Sequence, residues 1–220
     1  MATLLSFAKG AAEFVPKTSE LAVLRQAIQR CHGCELYRGA TQAVFGEGLG
    51  KAANVQKIEM MLIGEQPGDK EDIAGHPFVG PAGKLLMECL NEARIDPARV
   101  YITNAVKHFK WEPRGKFRLH KKPTVTEVKA CKPWLDAELH AVKPKLIVCL
   151  GATAAQSLLG PKFRVSQSRG HAQRVAGFPP IVTTVHPASI LRAQTDEDRR
   201  TQTAEFIADL HGANHFLRTL

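Results

Sequence analysis

Lys57-Ile-Glu-Met-Met-Leu-Ile-Gly64 followed by Glu65-Gln-Pro-Gly68 is the stretch on which the fold turns. A short apolar run that stops at a Gly/Pro-containing turn reads as a buried strand. A loop from Glu65 to Gly80 then leads to Pro81, which suits the first turn of a helix carrying Leu85, Leu86, Cys89 and Leu90.

Downstream the alternation repeats. Val100-Tyr-Ile-Thr-Asn104 is a second strand, and a long basic loop from Lys107 to Pro123 follows it. A helix from about Thr126 to Val142 packs Val128, Cys131, Leu135 and Leu139. Leu146-Ile-Val-Cys-Leu150 is a strand, Gly151 to Leu159 a short helix, and Pro180-Ile-Val-Thr-Thr-Val185 a fourth strand. A last helix covers roughly Thr195 to Leu210. Upstream, Ser19 is placed to cap a helix through Leu21, Leu24, Ala27 and Ile28 that runs into Cys31-His-Gly-Cys34. Residues 1–18 read as a flexible tail and 19–220 as one domain. The expected fold is a three-layer α/β/α sandwich around a central, mostly parallel four-stranded sheet. Ligands of such sheets sit outside the carboxyl ends of the strands, which selects Glu65, Asn104, Gly151 and His186.

The formal charge of +9 over 220 residues suits a polyanionic partner, because each phosphate neutralised releases a condensed counterion. A solvated basic surface is the alternative. No apolar run approaches the length of a bilayer span, and Met1 to Lys17 lacks the basic n-region of a signal peptide. The five cysteines, an odd number, point to a reducing compartment, with the cytoplasm as the expected location.

Several segments carry chemistry. Glycines flank a carboxylate in Gly64-Glu-Gln-Pro-Gly68, so the backbone there can approach a ligand closely. Gly83-Lys84 does not complete a phosphate-binding loop. Phe78 stands where the leading glycine is required, and Leu85 where Ser or Thr would meet magnesium. His76-Pro-Phe-Val-Gly-Pro-Ala-Gly-Lys84 puts Phe78 in a rigid loop beside the site, as a stacking face or as core filler. The basic loop interleaves Lys116, Arg118, Lys121 and Lys122 with Phe109, Trp111 and Phe117, a pattern that serves phosphate contact and stacking. Cys31, Cys34, His108 and Cys131 form a donor set for zinc or an iron–sulfur cluster, whereas Cys89 and Cys149 fall in core patterns. His186 opens His186-Pro-Ala-Ser189 and can donate to a carbonyl or a developing anion.

Together these segments resemble the uracil-DNA glycosylase superfamily. Gly-Glu-x-Pro-Gly, Pro-Phe-Val-Gly-x-Ala-Gly, Thr-Asn-Ala-Val-Lys and His-Pro-x-Ser occur in the family's order between Cys31 and Arg192. Within it the chain is most similar to the X-type, iron–sulfur branch, related to the family-four enzymes. The marks are Gln66, the run Asp69-Lys-Glu-Asp-Ile-Ala-Gly75, Asn104-Ala-Val-Lys-His-Phe-Lys110 and the loop Lys116-Phe-Arg-Leu-His120. That loop reads Lys-Arg-Arg-Ile-His in the family, so Phe117 replaces an arginine and removes one cationic contact.

The resemblance implies a [4Fe–4S] cluster on Cys31, Cys34, His108 and Cys131. It also implies stacking by Phe78, reading of the uracil edge by Asn104, and a pocket lined by Gln66. His186 becomes the donor to the departing anion, and Glu65 the support of a cationic sugar. His120 becomes a nucleophile that leaves the protein joined to the abasic site. The implied partner is uracil-containing DNA, single-stranded in preference, acted on by a monomer with no membrane association. An ordinary turning-over glycosylase and a non-catalytic uracil-DNA or single-strand binding module are the competing readings. A generic Rossmann-like nucleotide-binding protein is disfavoured, because no Gly-x-Gly-x-x-Gly opens a helix after a strand.

Overall fold

The structure is a computed structural model that describes residues 10–50 and 57–220. Its eight strands are β1 (Glu47–Gly48), β2 (Met60–Gly64), β3 (Val100–Asn104), β4 (Trp111–Arg114), β5 (Phe117–His120), β6 (Leu146–Leu150), β7 (Ala172–Gln173) and β8 (Ile181–Thr184). The helices are α1 (Leu21–Ile28), α2 (Asp69–Ala74), α3 (Pro81–Glu92), α4 (Val125–Val142), α5 (Ala152–Leu159), α6 (Val165–Ser168), α7 (Pro187–Ile190) and α8 (Asp196–Leu217).

The central sheet has six strands in the order β1-β3-β2-β6-β8-β7, not four. The four expected strands form its parallel middle, and β1 and β7 pair antiparallel at either edge. Each edge strand is two residues long, too short to leave a periodic signature. Strand β2 is buried along its whole length because its period of two feeds both layers. Met60 and Leu62 pack with Leu86, Leu90, Phe206 and Leu210 from α3 and α8. Met61 and Ile63 point the other way, into the cluster containing Leu135, Ala154 and Leu158 from α4 and α5. Each such side chain contributes about 1.5–3 kcal/mol by leaving water.

Four local expectations change. The basic loop is a hairpin, β4 against β5, with Trp111 opposite His120 and Arg114 opposite Phe117. Its two-residue turn starts at Gly115, at φ +60, the backbone such turns favour. Pro113 and the dense charge masked the strand pattern. Helix α2 lies inside what reads as a loop, with Asp69, Glu71 and Asp72 facing its positive end and Gly75 closing it at φ +76. Helix α1 starts after Glu20, and no side chain caps it. The Glu20 N–H is instead held by the Thr18 hydroxyl at 3.1 Å, so Ser19 is not the cap. Helix α8 runs on to Leu217, because Ala213, Phe216 and Leu217 continue its core-facing stripe.

Of the amino-terminal segment 1–18, residues 1–9 lie outside the described residues. Residues 10–18 pack: Ala11 is buried and its N–H donates to the Ala130 carbonyl of α4 at 2.8 Å. Among the described residues no helix is long and apolar enough to cross a membrane.

Candidate active site

The parallel strands end together on one side of the sheet, where a cavity of about 540 Å³ opens. Glu65, Gln66, Phe78, Asn104, His120 and His186 all line it, so every residue expected to act on or bind a base meets at one place. Of the four cations expected to touch DNA, only Lys122 reaches its wall.

Asn104, the last residue of β3, is buried at the floor. Its Oδ1 is enclosed and has no hydrogen-bond partner among the described residues. A buried acceptor left open is costly, about 1–3 kcal/mol, unless something supplies a donor. Gly64 makes the room: a Cβ there would run into Asn104 Oδ1 and the Phe78 ring. Phe78 holds a left-handed backbone, φ +56, unusual for a residue with a side chain. Gly83 permits it, since any Cβ at that position would collide with the Phe78 carbonyl. The Phe78 ring stacks against His186 at 5.8 Å and 30° and faces the cavity.

His186 follows β8 and caps α7. Its Nδ1 accepts from the Ala188 N–H at 3.1 Å, so in the neutral ring the proton sits on Nε2. Burial pushes its pKa down to about 4, helped by the neighbouring Arg192. The side chain is a neutral donor at neutral pH.

Beneath Asn104 lies a network that sequence reasoning missed. Its backbone carbonyl accepts from Lys107 Nζ at 2.8 Å, and Lys107 is wholly buried in an ion pair with Glu138 of α4. Glu138 also accepts from the Gly46 N–H at 2.8 Å and the Tyr101 hydroxyl at 3.2 Å. Periodicity marks Lys107 as part of a basic loop, and only topology reveals its burial.

The hairpin forms the opposite wall. His120 ends β5 with Nε2 3.4 Å from Glu65 Oε1. The other Glu65 oxygen accepts from the Thr153 hydroxyl at the start of α5. Thr153 also lines the cavity and is a second residue missed, although its place two residues after Gly151 was a usable signal. The Gln66 amide holds the hairpin base: Nε2 donates to the Lys110 and Lys121 carbonyls at 3.2 and 3.0 Å, and Oε1 accepts from Lys110 N–H at 3.2 Å.

Arg118, expected at DNA, is committed to α2. It pairs with Asp69 at 2.5 Å and with the fully buried Asp72 carboxylate at 2.6 Å, while its guanidinium lies over Phe109 and Trp111. Lys121 pairs with Glu112 at 2.9 Å across the hairpin. Lys116 is exposed at the turn, and neither it nor Lys122 has an acidic partner within 4 Å among the described residues. Phe117 is 78% exposed, so the residue that replaces the family's arginine takes no part in pinning the loop.

Cys31, Cys34 and Cys131 share a buried cluster with Leu24, Ile28 and Trp134, all as free thiols. Burial pushes the Cys131 thiol up to about 12, and its Sγ accepts the Lys107 N–H at 3.3 Å. Burial likewise raises Cys34. His108 follows Lys107 directly and is buried, which lowers its pKa to about 4 and keeps it a neutral donor set member. Gly33 is required because residues 10 and 11 cross over the Cys31–Cys34 turn, 2.6 Å from where a Cβ would stand. Among the described residues no three His, Cys, Asp or Glu side chains converge closely enough for a single ion. A four-iron cluster spreads its ligands more widely, and N–H groups beside its sulfurs tune it. Trp134, one turn on from Cys131, has a buried Nε1–H with no acceptor among the described residues. Three soft thiols, an imidazole and a spare donor fit such a cluster.

The family model "Uracil DNA glycosylase superfamily" matches residues 51–211. The type-4 uracil-DNA glycosylase of Thermotoga maritima is 34% identical over 197 residues, covering 89% of this chain and 94% of that protein. Those of Pyrobaculum aerophilum and Archaeoglobus fulgidus are 35% and 36% identical. They cover 79% and 78% of this chain, and 85% and 83% of their own lengths.

Proposed function

The chain belongs to the uracil DNA glycosylase superfamily, and from that premise we propose that it excises uracil from DNA and remains joined to the abasic sugar through His120. The observation that carries the excision is the open Asn104 Oδ1 at the cavity floor, an acceptor for the N3–H of uracil. Cytosine has no hydrogen there, so it would leave the amide unpaired and be rejected. The base reaches the floor only when unstacked, from a single strand or by extrusion from a duplex. Phe78 then covers its face.

Breaking the bond between C1′ and N1 sends the electron pair to uracil, where His186 Nε2–H stabilises the charge gathering on O2. The sugar becomes cationic at C1′, and the Glu65 carboxylate supports that charge from the hairpin side. A lone pair of the His120 ring then closes a nitrogen–carbon bond to C1′. The ring gives up its remaining N–H proton, and uracil takes one up at N1, so the adduct and neutral uracil are the products. Glu65, 3.4 Å from the His120 ring, is the group placed to relay that proton.

Cys31, Cys34, His108 and Cys131 would hold a [4Fe–4S] cluster, which when bound supplies cross-links between the amino-terminal helix, the base of the hairpin and α4. Ligation by a neutral imidazole in place of one thiolate would raise its reduction potential. The exposed Lys122 at the cavity wall and Lys116 at the hairpin turn would serve as phosphate contacts.

Free turnover is the second reading, favoured by the relatives, which carry the name of type-4 uracil-DNA glycosylases. A denaturing gel of protein incubated with a uracil-containing single strand separates the two. A shifted band that survives heat and detergent, and disappears in His120→Gly while uracil is still released, is the expected result. Release by the native chain without any shifted band would establish turnover instead.

A further inference from the structure

A second depression opens beside the active-site cavity, between the amino-terminal half of α4 and the length of α5. It has a volume of about 280 Å³ and shares Lys122 and Thr153 with the cavity, so the two adjoin. Val125, Val128, Leu158 and Pro161 give it apolar walls, and Val125 is 58% exposed, far more than a packing residue needs. Lys122, Lys129 and Lys132 stand around it. Lys132 is paired with Asp136 at 2.5 Å, whereas Lys122 and Lys129 have no acidic partner within 4 Å among the described residues. An apolar trough edged by two uncompensated cations is not explained by excision, which needs only the deeper cavity.

We propose that this groove is a subsite for the nucleotide next to the uracil on the same strand. Its base would lie on the valine and proline surface, and its phosphates would face Lys122 and Lys129. The proposal rests on the excision reading, because adjacency to the uracil cavity fixes which nucleotide arrives there. Nucleotide chemistry fits better than an apolar peptide, since the rim is cationic and the trough shares Lys122 and Thr153 with the cavity instead of standing apart from it. A strand that leaves the cavity this way passes the amino-terminal end of α4. Sequence-independent contact of this kind, an apolar face for a base and a cation for a phosphate, is how single strands are held without being read.

The test uses the full chain and short single strands with uracil at a fixed place. One neighbouring nucleotide at a time, 5′ or 3′, is replaced by an abasic spacer. Affinity is measured by fluorescence anisotropy and uracil release under single-turnover conditions. Removing the base on one side alone is expected to weaken binding several-fold, and Val125→Glu with Lys129→Glu should abolish that sensitivity. Lys129→Ala should lower the slope of log affinity against log salt by about 0.7, the release expected for one phosphate of a single strand. Neither variant touches the deeper cavity, so strands that end at the uracil on that side should be processed at the native rate. Equal binding of spacer and native strands on both sides would overturn the groove. So would variants that slow the truncated strand as much as the full one. Failure to release uracil from any strand, with spacer sensitivity intact in the anisotropy, would instead overturn the excision reading.

Discussion

In the proposed reading Asn104 and His186 meet different parts of the same ring, and each is set by a feature a single substitution can remove. Asn104→Ala takes away the open acceptor and should lower the rate of uracil release about 10- to 100-fold, the worth of one buried hydrogen bond. Single-turnover kinetics on a uracil strand measure it. His186→Gln removes the neutral Nε2–H donor and should cost roughly 100- to 1,000-fold in the same assay. His186 also leaves a mark on stability. Its pKa falls from 6.5 to about 4 on folding, so between those values the unfolded chain binds a proton that the folded chain does not. Its contribution is therefore intact above pH 6.5 and is lost as pH drops toward about 4. Melting temperatures across that window should fall less steeply in His186→Gln than in the native chain.

Among the elements the hairpin β4–β5 is the one whose role depends on side-chain ties to the rest of the fold. It protrudes from the sheet and is fastened by Arg118 to Asp69 and Asp72, and by Gln66 to its base. Arg118→Ala leaves the buried Asp72 carboxylate without its cation, although Thr41 N–H still donates to both oxygens. A loss of up to about 3–5 kcal/mol is the range for breaking a buried pair, read by denaturant unfolding. His120 would drift from Glu65, so the adduct should fall further than uracil release does. The sequence shows how such roles hide. Lys116, Arg118, Lys121 and Lys122 look alike as a run of charge, yet one is pinned, one is paired across the hairpin and two are open. That division comes from Asp69, Asp72 and Glu112, residues near or far in sequence that charge counting cannot match to partners. The parallel strands, by contrast, were legible because Leu62, Ile102 and Val148 belong to long apolar runs that local pattern alone defines.

At the scale of the whole molecule, the sheet holds the base-reading end and the thiol cluster in one buried polar network. Lys107 joins them: its Nζ reaches the Asn104 carbonyl and Glu138, and its N–H reaches Cys131. Lys107→Met should leave Glu138 buried and uncompensated, with a marked fall in melting temperature. Glu138→Gln in the Lys107→Met background should recover part of it. Nothing local announced this pair, because Lys107 sits in a basic stretch and Glu138 on an amphipathic helix. The residues that end strands were found from sequence because the fold's own rule puts ligands there. Thr153 was missed because its hydroxyl acts through Glu65 and not on the ligand directly.

The central claim is that this cavity removes uracil and that His120 takes its place on the sugar. Counting uracil released per protein by mass spectrometry, alongside the intact mass of the protein, tests both halves in one sample. One uracil at most per protein is expected, with a mass increase equal to the uracil strand less one uracil and none with a cytosine strand. No uracil from any strand would contradict the excision, and several per protein with an unchanged mass would contradict the covalent step.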